Sequence, residues 1–390
     1  MTSSTRHHFI TKTLAELEEQ DLRRQLRPVE PVSAREGRLP DGRIVLNFSS
    51  NDYLGLSRHP ALSEESIAWT RRLGTGSTAS RLVCGTFPEL VKLEEEIARW
   101  KGEEAALVLG AGYLANTGAI AALAGRDTQI FADKLNHASL NAGCQLAGAE
   151  FLRYRHNEPA HLEKLLASSD SKRKLIVSDT VFSMDGDCAD INSLKELAER
   201  HDALLYLDDA HASGLFGKGG SGLAGHGNCD LAMGTFSKAL GSYGAYIACS
   251  RQMKDFLVNR CGSLIYTTAL PPAVLGANAA AVRLVQTPEY DAIRSRLLSS
   301  CKKLRSELNS LGYDTGAGST PIIPIIAGEA QTAKNLSEFL LERGILAIPI
   351  RPPSVPRGTA RLRLTVNAAH TSGDLALLLS ALSEARKAII

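Results

Sequence analysis

Lys238 stands in the stretch Thr235-Phe236-Ser237-Lys238-Ala239-Leu240-Gly241, directly after the apolar run Leu231 to Met233. A lysine at the point where a strand gives way to a glycine-studded loop has an amine that is both partly desolvated and accessible, the setting in which it forms Schiff bases. Taken alone it reads more readily as a solvated surface charge, so the reading depends on what the other strand ends present. After Ala105 to Leu109 comes Gly110-Ala111-Gly112-Tyr113. After Gln129 to Ala132 come Asp133 and Asn136-His137-Ala138-Ser139. Leu175 to Val177 leads into a loop containing Thr180, Ser183 and Asp185, and Leu204 to Leu207 into Asp208-Asp209-Ala210-His211. An anion-friendly loop, a histidine, a serine, a carboxylate with a histidine and a lysine thus share one kind of position.

Two chemistries compete for this set. Gly110-Ala111-Gly112-Tyr113-Leu114-Ala115 matches G-x-G-x-x-A between a strand and a helix, with Asp133 ending the next strand, the arrangement of a dinucleotide site. Such fingerprints usually open their domain, however, and nicotinamide chemistry leaves Lys238 and the Asp208–His211 pair unexplained. Pyridoxal phosphate chemistry needs a lysine for the imine, a helix N-terminus with small residues for the phosphate, a carboxylate for the pyridine nitrogen, and a planar partner for the ring face. Lys238, Gly112-Tyr113, Asp208 and His137 supply one of each. Asp208 and Asp209 are equivalent at this level, and only geometry separates them. His211, Thr235 and Ser183 carry further groups suited to ring oxygen or phosphate.

These residues must be held by a scaffold. From about residue 60 to 270, β-type apolar runs alternate with helical stretches, which predicts a mostly parallel sheet covered on both faces, with its site at the strand C-termini. Residues 276–390 change character: a helix over about 279–310, a run at Pro321 to Ile326, a helix over 331–343, runs at Ile345 to Ile350 and Arg361 to Val366, and a helix over 372–388. This predicts a smaller α+β domain, which residues 1–58 join, leaving 59–275 as the large domain. An amphipathic helix is expected over 11–27, ending at Arg27-Pro28. The stretch from Ile350 to Thr365 stiffens several arginines with prolines, and a fixed guanidinium fork suits a carboxylate.

Bulk properties narrow the classes. With 44 basic and 42 acidic residues spread along 390, and few aromatics, nothing calls for nucleic acid or a membrane surface. The 7 cysteines form no CxxC pair, so neither a zinc site nor a disulfide framework is signalled, and a reducing cytoplasm is the expected location. The polar stretch Met1 to Thr13 lacks the apolar core of a signal peptide.

Asn47-Phe48-Ser49-Ser50-Asn51-Asp52-Tyr53-Leu54-Gly55-Leu56, Val181 to Asp187, Asp208 to His211, Thr235 to Lys238 and the Ile350 to Thr365 stretch, in this order, resemble the α-oxoamine synthases. The resemblance runs from about residue 20 to the end. It implies an α/β chain of the aspartate aminotransferase-like fold, a fold type I pyridoxal phosphate enzyme that condenses an amino acid with an acyl thioester and releases carbon dioxide. The Ile350 to Thr365 stretch is most similar to the biotin-pathway branch, which implies L-alanine and a pimeloyl thioester, on coenzyme A or an acyl carrier protein, as substrates. A glycine-using relative is the near alternative and a nicotinamide oxidoreductase the distant one.

By position, the resemblance implies that Lys238 carries the cofactor and shuttles the proton, His137 stacks on the ring, and Asp208 meets the ring nitrogen. Gly112, Tyr113, Ser183, His211 and Thr235 complete the cofactor site, with Thr267 and Thr268 reaching the phosphate from the other subunit of a homodimer. Arg23, Asn51, Ser354 and Arg363 fall at substrate positions, Arg363 at that of the amino-acid carboxylate. Ser354 stands where the family usually has threonine, and Ala212-Ser213-Gly214 follows His211 where Gly-Thr-Gly or Gly-Ser-Gly is common.

Overall fold

Apolar runs without alternation become strands buried on both faces, and they fix the frame of this chain. The computed structural model describes residues 5–389; positions 1–4 and 390, the outermost parts of the two expected end segments, lie outside the described residues. In chain order the elements are α1 (His8–Glu19), β1 (Glu30–Pro31), β2 (Glu36–Arg38), β3 (Ile44–Asn47), α2 (Pro60–Leu73), α3 (Pro88–Lys101), β4 (Ala105–Leu109), α4 (Gly112–Leu123), β5 (Thr128–Asp133), α5 (Ala138–Leu146), β6 (Glu150–Tyr154), α6 (Pro159–Ala167), β7 (Arg173–Asp179), α7 (Ile191–Arg200) and β8 (Ala203–Asp208). They continue with β9 (Leu231–Thr235), β10 (Ala245–Cys249), α8 (Arg251–Arg260), α9 (Gly262–Ile265), α10 (Pro272–Val285), α11 (Pro288–Ser310), β11 (Ile322–Gly328), α12 (Ala330–Glu342), β12 (Ile345–Leu346), β13 (Ile348–Ile350), β14 (Ala360–Thr365) and α13 (Ser372–Ile389).

Two units result. The larger comprises Asn51–Ser183 and Asp187–Leu297. Its sheet runs β4-β10-β9-β8-β7-β5-β6, parallel from β9 through β6, with β10 antiparallel to both β9 and β4. The chain is therefore α/β with a mostly parallel central sheet. Leu107, Ile130, Val177, Tyr206, Met233 and Ile247 are buried in one cluster under its helices, and a fully buried aliphatic side chain of this kind contributes about 1.5–3 kcal/mol. Helix α10 packs on α2 through Gly276, where a Cβ would come 2.7 Å from the Glu65 carbonyl oxygen and 2.9 Å from the Trp69 ring.

The smaller unit comprises Met1–Ser50, Met184–Gly186 and Leu298–Ile390. It holds two sheets among the described residues, β1-β2-β3-β12 and β11-β14-β13. Whereas the sequence divides the chain at 58/59 and 275/276, the units divide at Ser50/Asn51 and Leu297/Leu298. No helix among the described residues is long and apolar enough to cross a membrane.

Three expectations are corrected. The first helix stops at Glu19, because Asp21 takes a left-handed φ of 55° and its N–H bonds back to the Glu18 carbonyl; Arg23 consequently lies in a loop. The expected helix over 279–310 is two helices that part before Pro288, where a proline cannot continue the preceding turn. The run Ile345 to Ile350 is two strands in different sheets, β12 parallel to β3 and β13 antiparallel to β14.

Candidate active site

Strand β8 ends at Asp208, and Asp209 follows it; these two consecutive carboxylates meet opposite surroundings. Asp209 is fully buried and bound by a cation: Lys101 Nζ lies 2.7 Å from its Oδ2 and also donates to the Ser221 carbonyl. Thr180 Oγ1 donates to Asp209 Oδ1 at 2.8 Å, and the Leu223 N–H to the same oxygen at 3.0 Å. Burial, the largest single influence, lowers the Lys101 pKa, but the charge and hydrogen bond of Asp209 together with Tyr246 and Cys229 more than offset it and hold the amine above its ordinary value. Asp208, 3% exposed, is bonded by neutral donors instead: Asn116 Nδ2 at 2.7 Å on Oδ2 and the Ala210 N–H at 2.9 Å on Oδ1. Of the two carboxylates, Asp209 is thus engaged in a buried ion pair, whereas the hydrogen bonds to Asp208 come from neutral donors.

His137 is the N-cap of α5, its Nδ1 accepting from the Ser139 N–H at 3.3 Å and lying 2.7 Å from Ser139 Oγ. Its own N–H donates to Asp179 Oδ2 at 2.7 Å. The residue is exposed, yet the surrounding atoms desolvate its ring and lower its pKa, with the Asp208 charge opposing and the Lys238 charge reinforcing that shift. Asp179 is buried, which raises its pKa well above the usual carboxylate range; the Asp208 charge adds to this. His137, Asp179, Asp208 and Lys238 thus act on one another electrostatically at the C-terminal edge of the sheet.

Several other candidates of the larger unit lie at or just after strand ends of the same sheet. Thr235 Oγ1, at the end of β9, is 2.8 Å from both Ser237 Oγ and the Gly244 carbonyl. His211 Nδ1 is 2.6 Å from Tyr53 Oη, a bond that ties the Asn51 loop to the segment after β8. Gly112 opens α4, whose first turn has no side-chain cap, leaving N–H groups oriented as an anion site requires; Tyr113 beside it is exposed. Ser183 is half-buried in the loop after β7. That loop is fastened by His156, whose Nδ1 and Nε2 lie 2.9 Å and 3.0 Å from Asp133 and Asp187. Against the cost of burial these two carboxylates raise the His156 pKa to about 10. Thr267 and Thr268 line a narrow crevice with Gly110 and Arg81, and Thr268 bridges Ser80.

In the smaller unit, Arg363 is buried on β14 and donates to Thr365 Oγ1 at 3.3 Å. Arg361, two residues earlier on the same strand, pairs with Asp185. Arg23 and Ser354 line a cleft of about 480 Å³ with Arg24, Arg27, Lys334 and Arg351. Arg23 pairs with Glu18 at 3.0 Å, and Arg24 donates to Ser354 Oγ at 3.3 Å.

Sequence reasoning missed Asn116 and the structural duty of Asp133. Asn116 lies one turn after Gly112 on α4, and nothing in the sequence around it signals its role. Asp133 accepts from the Leu135 and Asn157 N–H groups, both at 2.8 Å, as well as binding His156. It is therefore not poised for a ribose, and β4, which precedes the glycine motif, is an edge strand paired with antiparallel β10 rather than the centre of a doubly wound sheet. The dinucleotide reading falls on both counts.

The family model for aminotransferase class I and II matches residues 43–382. The 8-amino-7-oxononanoate synthase of Gluconacetobacter diazotrophicus is 48% identical over 392 residues, covering 97% of each chain. Among solved structures, serine palmitoyltransferase from S. paucimobilis with PLP-myriocin bound is 28% identical with a TM-score of 0.92, covering 99% of this chain and 98% of that one. The 8-amino-7-oxononanoate synthase of Francisella tularensis is 26% identical with a TM-score of 0.76, covering 88% of this chain and 98% of that one.

Proposed function

The chain belongs to the aminotransferase class I and II family, in its α-oxoamine synthase branch, and from that premise we propose that it condenses L-alanine with a pimeloyl thioester to give 8-amino-7-oxononanoate in biotin biosynthesis. It is a fold type I enzyme that transfers acyl groups, and its cofactor is pyridoxal 5′-phosphate. In the proposed reaction a carbon–carbon bond forms between the alanine α-carbon and the thioester carbonyl, the thiol leaves, and the alanine carboxylate departs as carbon dioxide.

The observation that carries the reading is the unlike fate of the two adjacent aspartates. A buried carboxylate bonded by the neutral donors Asn116 and the Ala210 N–H, near the exposed His137 and within the field of Lys238, fits a protonated pyridine nitrogen. Lys238 would hold the group covalently. The α4 N-terminus at Gly112 and Tyr113, with Thr235, would take the phosphate, while Ser183 and His211 complete the cradle. When bound, the group supplies an electron sink for negative charge at the amino-acid α-carbon. Lys238 Nζ then serves as general base for the α-proton, His137 orients the substrate, and Asn51 would serve the substrate as well. Arg363 takes the amino-acid carboxylate, and Arg23 and Ser354 serve the acyl substrate. Thr267 and Thr268 of a second copy would reach the phosphate in a cytoplasmic homodimer, and the acyl carrier is coenzyme A or a carrier protein.

The likeness to serine palmitoyltransferase keeps a different amino acid as the second reading. Visible spectra of the purified protein with L-alanine, glycine and L-serine in turn, together with loss of the α-proton to deuterated solvent, decide between them. Exchange of the alanine proton well above that of the others is expected; preferential exchange of glycine or serine overturns the alanine assignment.

A further inference from the structure

The residues around Asp208 form a hydrogen-bond chain that can run in one direction only. Tyr206 is fully buried, which raises its pKa well above the ordinary phenol value, so its hydroxyl keeps its proton. Its Oη lies 2.9 Å from Asn116 Oδ1. Asn116 Nδ2 lies 2.7 Å from Asp208 Oδ2 and 2.8 Å from Ser139 Oγ. An ionised carboxylate only accepts, so the amide must turn Nδ2 toward Asp208 and Oδ1 toward Tyr206. The second Nδ2 proton then goes to Ser139 Oγ, which is left with its own proton for His137 Nδ1, 2.7 Å away. The Ser139 N–H, which can only donate, points at the same nitrogen. His137 Nδ1 is therefore an acceptor twice over, and the ring proton belongs on Nε2.

We infer that Asn116 and Ser139 are positioning residues that hold His137 as the Nε2–H tautomer and brace Asp208 from the same amide. The role of His137 and Asp208 toward the cofactor rests on the proposed function; the tautomer assignment does not. Both residues are 1% exposed and sit on helices, Asn116 inside α4 and Ser139 in the first turn of α5. The histidine that would face the ring and the carboxylate that would meet its nitrogen are consequently set by one rigid connection instead of by two independent loops. A fixed tautomer gives His137 a donor on the nitrogen remote from α5, suited to a substrate oxygen.

The test is made on the purified protein with its cofactor, labelled with nitrogen-15 histidine, with the His137 signal identified by its loss in His137→Gln. The two-bond proton–nitrogen pattern of wild type is expected to be that of a neutral Nε2–H imidazole. Ser139→Ala, which removes the 2.7 Å hydroxyl bond and leaves only the longer 3.3 Å backbone bond to Nδ1, should admit the second tautomer, and Ser139→Thr, which keeps the hydroxyl, should restore the wild-type pattern. Asn116→Ala should lower kcat by about 10- to 100-fold, the usual reach of an outer contact that orients a reacting group, with a smaller change in KM for the amino acid. A wild-type His137 protonated on Nδ1, or identical patterns in Ser139→Ala and wild type, overturns the inference. Failure of the same sample to show the cofactor absorbance would count against the proposed function alone, because the tautomer is read regardless.

Discussion

Asp208 and Asp209 are neighbours in sequence and opposites in surroundings. The region around Asp209 is a closed electrostatic unit: Lys101, the Thr180 hydroxyl and the Leu223 N–H saturate the carboxylate, and both charged side chains are 0% exposed. The region around Asp208 is held by an amide and a backbone N–H, and its charge acts together with that of Lys238 on His137. A carboxylate whose charge is neutralised inside the fold contributes architecture, whereas one whose charge is only solvated retains a field that acts on its neighbours.

Four measurements bear on this contrast. Lys238→Ala removes the group toward which the Asp208 side is arranged. Turnover is expected to fall by at least about 10²–10⁴-fold, the contribution of a positioned general base, with unchanged thermal stability; normal turnover would break the assignment. Lys101→Met strands a buried charge on the Asp209 side and should destabilise the fold by about 3–5 kcal/mol in denaturant titration, most of which returns when Asp209→Leu is added. Asp208→Asn keeps shape and removes charge. It should lower turnover by roughly 10- to 100-fold, the value of a charge-assisted bond of about 1.5–3 kcal/mol, and leave the melting temperature close to wild type.

The smallest effect concerns His156, whose ion pairs, unlike that of Lys101, meet water. Its folded pKa of about 10 lies above the ordinary histidine value of 6.5. The stabilisation is therefore complete below about pH 6.5 and is lost as pH rises through 10. Melting temperatures measured across that window should fall more steeply for wild type than for His156→Gln, by on the order of a few degrees; parallel curves would show that the bridge contributes nothing.

Much of this was legible in the sequence because buried parallel strands appear as unbroken apolar runs, and the loops that follow them carry the polar residues. Lys238, His137, Thr235 and the Asp208-Asp209 pair could be picked out as candidates on that basis. Asn116 could not, since a lone amide inside a helix has no periodicity of its own, and its value arises from Tyr206 on a strand and Ser139 on another helix. Helix α2 escaped notice because only Leu62 and Trp69 on it are buried, and it packs through the bare backbone of Gly276. The unlike surroundings of Asp208 and Asp209 were hidden because Lys101, which pairs with Asp209, is 108 residues away.

The Lys101–Asp209 pair also constrains how this sequence can drift. Exchanging either residue alone leaves an uncompensated charge in a dry interior, so single-step paths away from the pair are steeply disfavoured. Swapping the two is no escape, because position 101 must donate to the Ser221 carbonyl while position 209 must accept from Thr180 and Leu223. Descendants of this chain are expected to keep both residues in their present order or to lose both to apolar ones, making the pair a two-site lock in sequence space with its polarity written in the backbone.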